Sequence, residues 1–148
     1  MPLVLSRSDG RLGPNLRPST LPCDVDIAKL RTVAKSTADW AAQACPVQYW
    51  LDSLIGRIVS GGADLDQFAK QLRSGVGRPV VNRPNLKGRY SIDLSYSAAI
   101  GDDLRPLANA PDIYAALRDQ LGLKVEATTT TVQYLVVDHI ERPRDEDN

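Results

Sequence analysis

The sequence lacks a net charge, a long apolar run and a visible export signal, and each absence excludes a class of protein. Its 148 residues carry 18 Lys and Arg against 18 Asp and Glu. Neither a generally basic nucleic-acid binder nor a strongly acidic tail protein is therefore expected. No run approaches the ~18 apolar residues of a membrane span. Residues 1–5 do not form a basic segment that precedes a long apolar one, as an export signal would require.

Histidine is scarce as well. His139 is the single histidine, which excludes a zinc site built from several histidines, and no Gly-x-Ser-x-Gly motif accompanies it. The pattern over 131–140 predicts a strand, in which Asp138 and His139 point to opposite faces. A surface or edge-strand histidine is the favoured interpretation. The alternative is a general base, with Asp138, Asp93 or Asp102 supplying charge.

Cysteine occurs twice, which is too few for a metal site without other ligands. Cys23 and Cys45 flank an alanine-rich segment whose apolar spacing predicts a helix over about 25–44, with Asp24 as a candidate N-cap and Ser36 and Thr37 as candidate interruptions. A straight helix of about twenty residues would hold its ends ~30 Å apart. A disulfide therefore requires a shorter helix or a chain that folds back. The residues alone leave both a disulfide and two unpaired cysteines open.

The remaining elements follow from apolar periodicity and turn residues. Residues 3–6 predict a strand and 8–23 an irregular loop rich in Pro and Gly. After residue 54 the predicted order is strand, helix, strand, strand, helix, strand, strand. A strand at 55–60 ends at Gly61-Gly62, and the strand over 89–96 alternates between apolar and polar residues.

Two capped helices complete this order. Asp64 is the predicted N-cap of the first, with Gln67 completing a capping-box pattern, and Gly75 and Gly77 end it. Asn109 or Asp112 caps the second, and strands at 124–129 and 131–140 follow it.

The predicted fold class is α+β, with a small mixed or antiparallel sheet and two or three helices on one face. We divide the chain into an N-terminal segment over 1–54, a core over 55–142 and a charged tail over 143–148, within a single compact domain.

Cations concentrate in one stretch of the chain. Between Asp66 and Asp93 there is no acidic residue, and the stretch predicts a site for an anionic group or for the acidic face of a partner. The alternative is a solvated face that pairs with the acidic C-terminal segment. The cations of this stretch are Lys70, Arg73, Arg78, Arg83, Lys87 and Arg89.

Two further groups are candidate sites. Asp102 and Asp103 could bind calcium, although no calcium-loop motif surrounds them and an exposed turn is the favoured interpretation. Trp40, Tyr49 and Trp50 could line a small apolar pocket, or could simply pack together.

Three stretches carry a family resemblance: 3–19 with its Asp-Gly-Arg-Leu-Gly-Pro run, 77–90 with Gly-Arg-Pro-Val-Val-Asn-Arg, and 116–143 with Val-Val-Asp-His-Ile-Glu-Arg-Pro. In order and spacing they resemble an uncharacterised domain family that is expanded into many paralogues in Acidobacteria and is known as a domain of unknown function. Asn82 stands where that family usually has an acid, and Pro84-Asn85 where it has Thr-Gly.

The resemblance implies more about location than about activity. Members of that family typically carry an export signal and a further N-terminal half, so the chain resembles the C-terminal half of such a domain or a product with a late start codon. The resemblance implies a periplasmic or secreted location, favours a Cys23–Cys45 disulfide, and supplies no activity. The element order also resembles, more distantly, the short N-terminal domains of secretins and TonB-dependent receptors, which are protein-interaction modules.

We therefore expect an extracytoplasmic, non-catalytic module that binds a protein or a small ligand, without a cofactor. The alternative is a small hydrolase of esters or lactones, assisted by a metal ion such as calcium. An uncovered sheet edge would favour a homodimer. A nucleic-acid partner is not expected.

Overall fold

The computed structural model describes residues 1–82, 86–98, 109–126 and 136–139. Helices follow strands in groups along these ranges and most of the strand pairs are antiparallel, which confirms the predicted α+β class. A π-helical turn over Leu117–Leu121 directly continues the last helix. The elements are β1 (Pro2–Leu5), β2 (Leu16–Pro18), α1 (Ile27–Val33), α2 (Thr37–Ala41), β3 (Gln48–Asp52), β4 (Ile55–Ala63), α3 (Leu65–Val76), β5 (Val81–Asn82), β6 (Tyr90–Ser97), α4 (Ile113–Ala116) and β7 (Leu123–Val125).

The strands form two sheets where the sequence predicted one. The first has the order β5-β1-β7, with β5 parallel and β7 antiparallel to β1. The second has the order β2-β6-β4-β3, and all its neighbours are antiparallel. Because β1 and β2 pair with strands from the second half of the chain, the first 54 residues are built into both sheets.

Strand β6 lies inside the second sheet and alternates as predicted. Tyr90, Ile92, Leu94 and Tyr96 are buried, whereas the residues between them are partly exposed. The buried side chains face the main core, which also contains residues from the first sheet and from both C-terminal helices. Those additional core residues include Leu3, Phe68, Leu72, Leu117 and Leu123.

Helix α3 begins and ends at predicted residues. The Gln67 backbone N–H donates to the Asp64 carboxylate at 2.8 Å, and Gly77 ends the helix with φ +76°. Gly75 was expected to help stop the helix but lies inside its last turn. A β-carbon at that position would collide with the Ile113 side chain and the Tyr96 ring, so glycine is required for close packing there.

The alanine-rich segment differs from the prediction. The expected single helix over 25–44 with an Asp24 cap is wrong, because two short helices form instead. Asp26 caps α1 by accepting from the Ala28 backbone N–H at 3.0 Å. Ser36 has φ −155° and caps α2 by accepting from the Asp39 N–H at 3.2 Å. An extended residue cannot continue a helix, so the chain changes direction at Ser36.

This folded-back segment covers the face of the second sheet that is opposite the main core. Trp40, Ala41 and Ala44 pack with Val59 in a separate small core, and Trp50 lies against it. Val59 and the main-core residue Ile58 are neighbours in β4 and therefore face opposite sides. The second sheet thus carries helices on both faces rather than on one.

The prediction also missed two strands and shortened a third. Strand β2 lies within the expected loop at 8–23, and β3 precedes the expected start of the sheet. Strand β4 continues through Gly61-Gly62 to Ala63, with a register shift after Ser60. Glycine is needed at 61 because a β-carbon there would collide with the Ala42 carbonyl.

The C-terminal predictions are tested only in part. Asp112 caps α4 by accepting from the Ala115 N–H at 2.9 Å, and β7 begins the strand expected at 124–129. Residues 136–139 form neither helix nor strand, so a strand over 131–140 does not include them. The rest of that segment and the charged tail lie outside the described residues. Within the described ranges, no helix has the length and apolar character needed to cross a membrane.

Candidate ligand-binding cleft

Asp64 lies at the junction between β4 and α3, where two surface depressions meet. Its carboxylate is exposed and accepts the Gln67 N–H of the first helical turn. One depression extends from Asp64 toward the two cysteines, and the other extends toward β5. We call the pair the Asp64 cleft. The strand-to-helix junction positions this carboxylate because β4 and α3 both belong to the main core.

The disulfide forms one wall of the cleft. Cys23 and Cys45 are bonded, with their α-carbons 5.4 Å apart, which resolves the open question about the cysteines. Arg89 lies against this bond: its Nη1 donates to the Leu21 carbonyl at 2.6 Å and contacts both sulfurs, with the Cys45 Sγ at 3.3 Å. The depression between the disulfide and Asp64 has a volume of about 480 Å³.

A glycine keeps this depression open. A β-carbon at Gly62 would lie 3.2 Å from both the Arg89 Nη1 and the Cys45 Sγ, so a larger residue would crowd the disulfide wall. Pro46, Val47 and Gln67 complete the lining. The surface is thus partly apolar, with a guanidinium and an amide at its sides.

The second depression lies between the start of α3 and the chain that leads into β6. It has a volume of about 580 Å³. Asn82, which β5 holds by pairing with Leu3 of β1, is one of the lining residues. The Oδ1 atom of Asn82 is buried and accepts no hydrogen bond from the described part of the chain. The other lining residues are Asp64, Leu65, Asp66, Leu86, Lys87 and Gly88.

The charges around the cleft are of both signs. Asp64 and Asp66 stand beside Lys87 in the second depression, and Asp64 stands beside Arg89 in the first. The amide groups of Gln67 and Asn82 can each donate and accept hydrogen bonds. This arrangement suits a polar molecule that carries both a hydrogen-bond donor and an acidic group.

The predicted basic stretch is distributed over this region rather than collected in a single patch. Lys87 and Arg89 line the two parts of the Asp64 cleft. Lys70 lines a further depression of about 320 Å³ that also contains Asp66 and Asn82. Arg73 and Arg78 are exposed in and after the last turn of α3, and Arg83 lies outside the described residues.

The other sequence-predicted site residues lie elsewhere. Asp138 and His139 are exposed in the segment 136–139, and Asp102 and Asp103 lie outside the described residues. Within the described ranges, no group of three or more His, Cys, Asp or Glu side chains is arranged to hold a metal ion. Asp93, which the hydrolase interpretation considered as a source of charge, forms a bidentate ion pair with Arg57 at 2.9 Å and 3.1 Å.

The three aromatic residues predicted either to line a pocket or to pack together, Trp40, Tyr49 and Trp50, lie in two different environments. Trp40 and Trp50 pack in the small core, as the simpler interpretation expected. The Arg31 guanidinium lies 4.6 Å from the Trp40 ring centroid, and that of Arg57 lies 5.8 Å from the Trp50 centroid. Tyr49 points away from them and is 37% exposed at the edge of the sheet.

Sequence reasoning missed Asp64, Asp66, Gln67 and Asn82 as members of one cleft. The capping signal identified Asp64 and Gln67 as the start of a helix, which is a local feature. Asn82 joins them only because β5 pairs with β1, and no spacing in the sequence encodes that pairing.

The fold and the cleft together define a disulfide-containing α+β domain with a polar depression beside the disulfide. A family model described as "Protein of unknown function (DUF3738)" matches residues 5–140, and the chain belongs to that family. No curated protein and no solved structure is significantly similar to the chain.

Proposed function

We propose that this chain is a non-catalytic, extracytoplasmic binding module whose ligand occupies the Asp64 cleft. The observation that carries the proposal is Asn82, a residue of the second depression whose buried Oδ1 has no hydrogen-bond donor among the described residues. A buried acceptor without a partner costs about 1–3 kcal/mol. A ligand that supplies an N–H or O–H to this atom recovers that free energy, which favours the bound state.

The charges indicate the ligand chemistry. A cationic or neutral N–H donor would be attracted by Asp64 and Asp66, and an acidic group by Lys87 or Arg89. The proposed ligand is therefore a small zwitterion or a short peptide segment. The proposed recognition role also rests on the sequence resemblance of the predicted element order to the short interaction domains of secretins and TonB-dependent receptors.

The proposed location rests on the disulfide and on the family resemblance. Disulfides persist in oxidising compartments such as the periplasm and the exterior of the cell, and they are rare in the cytosol. The Cys23–Cys45 bond is therefore consistent with a periplasmic or secreted protein.

A thermal melt against a ligand panel tests the proposal. The panel contains amino acids, dipeptides, simple anions, divalent metals with a chelator, nucleotides and lactones. A ligand that binds the folded state alone raises the melting temperature by mass action. We expect a rise with a zwitterionic amino acid or dipeptide, a smaller rise in Lys87→Gln, and an unchanged rise in Arg118→Gln, whose charge is removed on a different surface.

Two outcomes would overturn the proposal. If no amino acid or dipeptide moves the melting temperature, the Asp64 cleft is not a site of this chemistry. If the protein hydrolyses an ester or lactone, and His139→Ala abolishes the turnover, the chain is a hydrolase rather than a non-catalytic module.

A further inference from the structure

Strand β3 has one free edge among the described residues. It pairs with β4 alone, and the two strands are joined by a two-residue turn at Ser53 and Leu54. In such a hairpin the residues that close the turn, Asp52 and Ile55, form a hydrogen-bonded pair, and this type of pair recurs at every second position. The N–H and C=O groups of Tyr49 and Leu51 therefore point away from β4. They accept or donate no backbone hydrogen bond in the described part of the chain.

Apolar side chains accompany these free backbone groups. Tyr49 is 37% exposed and Leu51 is 57% exposed. Their partners in β4 are Ile58 and Gly56, so both lie on the face of the sheet that carries the main core. Among the described residues, therefore, nothing covers the core face where it reaches this sheet edge.

The opposite edge of the same sheet is protected in a way that β3 is not. Strand β2 has three residues and includes Arg17 and Pro18. A short length, a charged side chain and a proline all discourage a further strand from adding to an edge. Strand β3 has five residues, Gln-Tyr-Trp-Leu-Asp, with neither a proline nor a cation.

We infer that β3 pairs in antiparallel orientation with β3 of a second copy of this chain, about a two-fold axis that passes beside Trp50. In this register Tyr49 lies opposite Leu51 of the second copy, and each such pair exchanges two backbone hydrogen bonds. Trp50 lies opposite Trp50, and Gln48 lies opposite Asp52, where an amide can donate to a carboxylate. The second sheet then continues across both copies.

The register follows from the strand itself. The outward-facing groups allow symmetric pairing centred on Tyr49, Trp50 or Leu51. If the pairing is centred on Tyr49, Leu51 lies opposite Val47 of the second copy, which precedes β3. If it is centred on Leu51, Tyr49 lies opposite Ser53 of the second copy, which belongs to the turn. The Trp50-centred register aligns all five residues of β3 with all five of the second copy, and it places the exposed Tyr49 and Leu51 side chains together.

The second copy fits this edge better than an unrelated strand because the edge is complementary to itself. It carries one acid, Asp52, which the two-fold axis places opposite Gln48 rather than opposite its own copy. A five-residue edge is small beside the ~1,200 Å² at the lower limit of stable interfaces, so the dimer is expected to dissociate on dilution.

Sedimentation equilibrium of the full chain over a range of concentrations tests the association. We expect a reversible monomer–dimer equilibrium in the wild type. Leu51→Lys introduces a charge into the paired edge and should raise the dissociation constant at least about tenfold, a loss of ~1.4 kcal/mol. The matched control is Val33→Lys, which makes the same kind of change at a valine that is 78% exposed on α1, and it should dimerise as the wild type does.

Oxidative cross-linking tests the register. Residues directly opposite in a pair that is not hydrogen-bonded have β-carbons ~4.5–5.5 Å apart, near the distance that a disulfide spans. Trp50→Cys should therefore form a cross-linked dimer. Gln48→Cys, on the same strand and the same face, should not, because its own copy lies at the far end of the paired strands.

Several outcomes would overturn the inference. If the wild type stays monomeric up to about 1 mM, the edge of β3 pairs with a different partner or with none. A dimer that Leu51→Lys leaves intact would place the interface elsewhere. If Gln48→Cys cross-links as readily as Trp50→Cys, the pairing is not centred on Trp50.

Discussion

The Arg89 guanidinium donates to the carbonyl oxygen of Leu21 at 2.6 Å, across 68 positions of sequence. Arg89 immediately precedes β6, and its backbone carbonyl accepts from the Ser19 N–H at 2.9 Å. One residue therefore binds the Pro-rich loop twice, once through its backbone and once through its side chain. It holds the disulfide wall of the Asp64 cleft against the second sheet.

Replacing Arg89 with methionine should destabilise the fold by about 1–2 kcal/mol, since a hydrogen bond from a charged donor is worth more than a neutral one. Arg89→Lys should recover part of the loss, because an ammonium can reach one acceptor but does not have the planar fork of the guanidinium. Urea unfolding followed by circular dichroism measures both variants. Equal stability of Arg89→Met and the wild type would show that the Leu21 contact contributes nothing to folding.

Removing the disulfide should cost about 3 kcal/mol, because the bond closes a loop with a sequence separation of 22. The double variant Cys23→Ser with Cys45→Ser is compared with the oxidised wild type by urea unfolding. The wild type under reducing conditions serves as the control, and it should match the double variant. A double variant as stable as the oxidised protein would contradict the prediction.

Because Tyr96 is buried, we expect the folded protein to lose stability at alkaline pH. Burial, followed by the proximity of Tyr49 and the hydrogen bond between their hydroxyl groups, raises the pKa of Tyr96 above its ordinary value of 10.0. The unfolded chain therefore releases this proton at a lower pH than the folded chain. The stability that depends on neutral Tyr96 is complete below pH 10 and is lost as the pH rises above it, by up to about 1.4 kcal/mol per pH unit.

Tyr96→Phe tests this prediction by removing the titrating group. Its unfolding free energy should fall less steeply than that of the wild type between pH 9 and pH 11. Tyr114→Phe is the control, since Tyr114 is 45% exposed and should leave the wild-type pH dependence in place. An unchanged alkaline slope in Tyr96→Phe would exclude Tyr96 as its origin.

The turn between β3 and β4 stores backbone strain that one substitution can relieve. Ser53 and Leu54 have φ values of 48° and 70°, a conformation that glycine adopts without cost and a branched side chain does not. Leu54 is also 50% exposed, so its side chain contributes little burial. Leu54→Gly should stabilise the monomer by about 1 kcal/mol, measured by urea unfolding at low protein concentration.

Gly77→Ala provides the opposite change at a comparable backbone angle. Gly77 has φ +76°, and no atom lies within 4 Å of the β-carbon that alanine would add, so only backbone strain opposes the substitution. We expect a loss of about 1 kcal/mol. If the two substitutions change stability in the same direction, backbone strain does not dominate at these positions.

The parts of the fold that the sequence predicted are those whose signals lie within one element. Helix α3 has its cap at Asp64, its buried face and its final Gly77 within a single stretch of chain. Strand β6 likewise shows its buried face as a simple alternation. Local backbone preference and side-chain periodicity are sufficient there, because the same residues both form the element and bury it.

The failed predictions depended on partners that are distant in sequence. The apolar spacing over 25–44 favoured one helix that Ser36 and Thr37 could interrupt, and the chain does fold back at Ser36, where the disulfide closes and Trp40 packs on Val59. Strand β2 consists of Leu16, Arg17 and Pro18, and these residues form a strand because they pair with β6. Its own composition predicts a loop.

The sequence by itself determined the α+β class, the ends of α3 and the inward face of β6, because capping, turn and alternation are properties of neighbouring residues. Only the tertiary structure decided that the described strands form two sheets, that Asn82 and Arg89 flank Asp64, and that no described strand pairs with the outer edge of β3. Those features arise from strand pairing and packing between remote segments. Their free energy comes from burying surfaces that no single stretch of the chain contains.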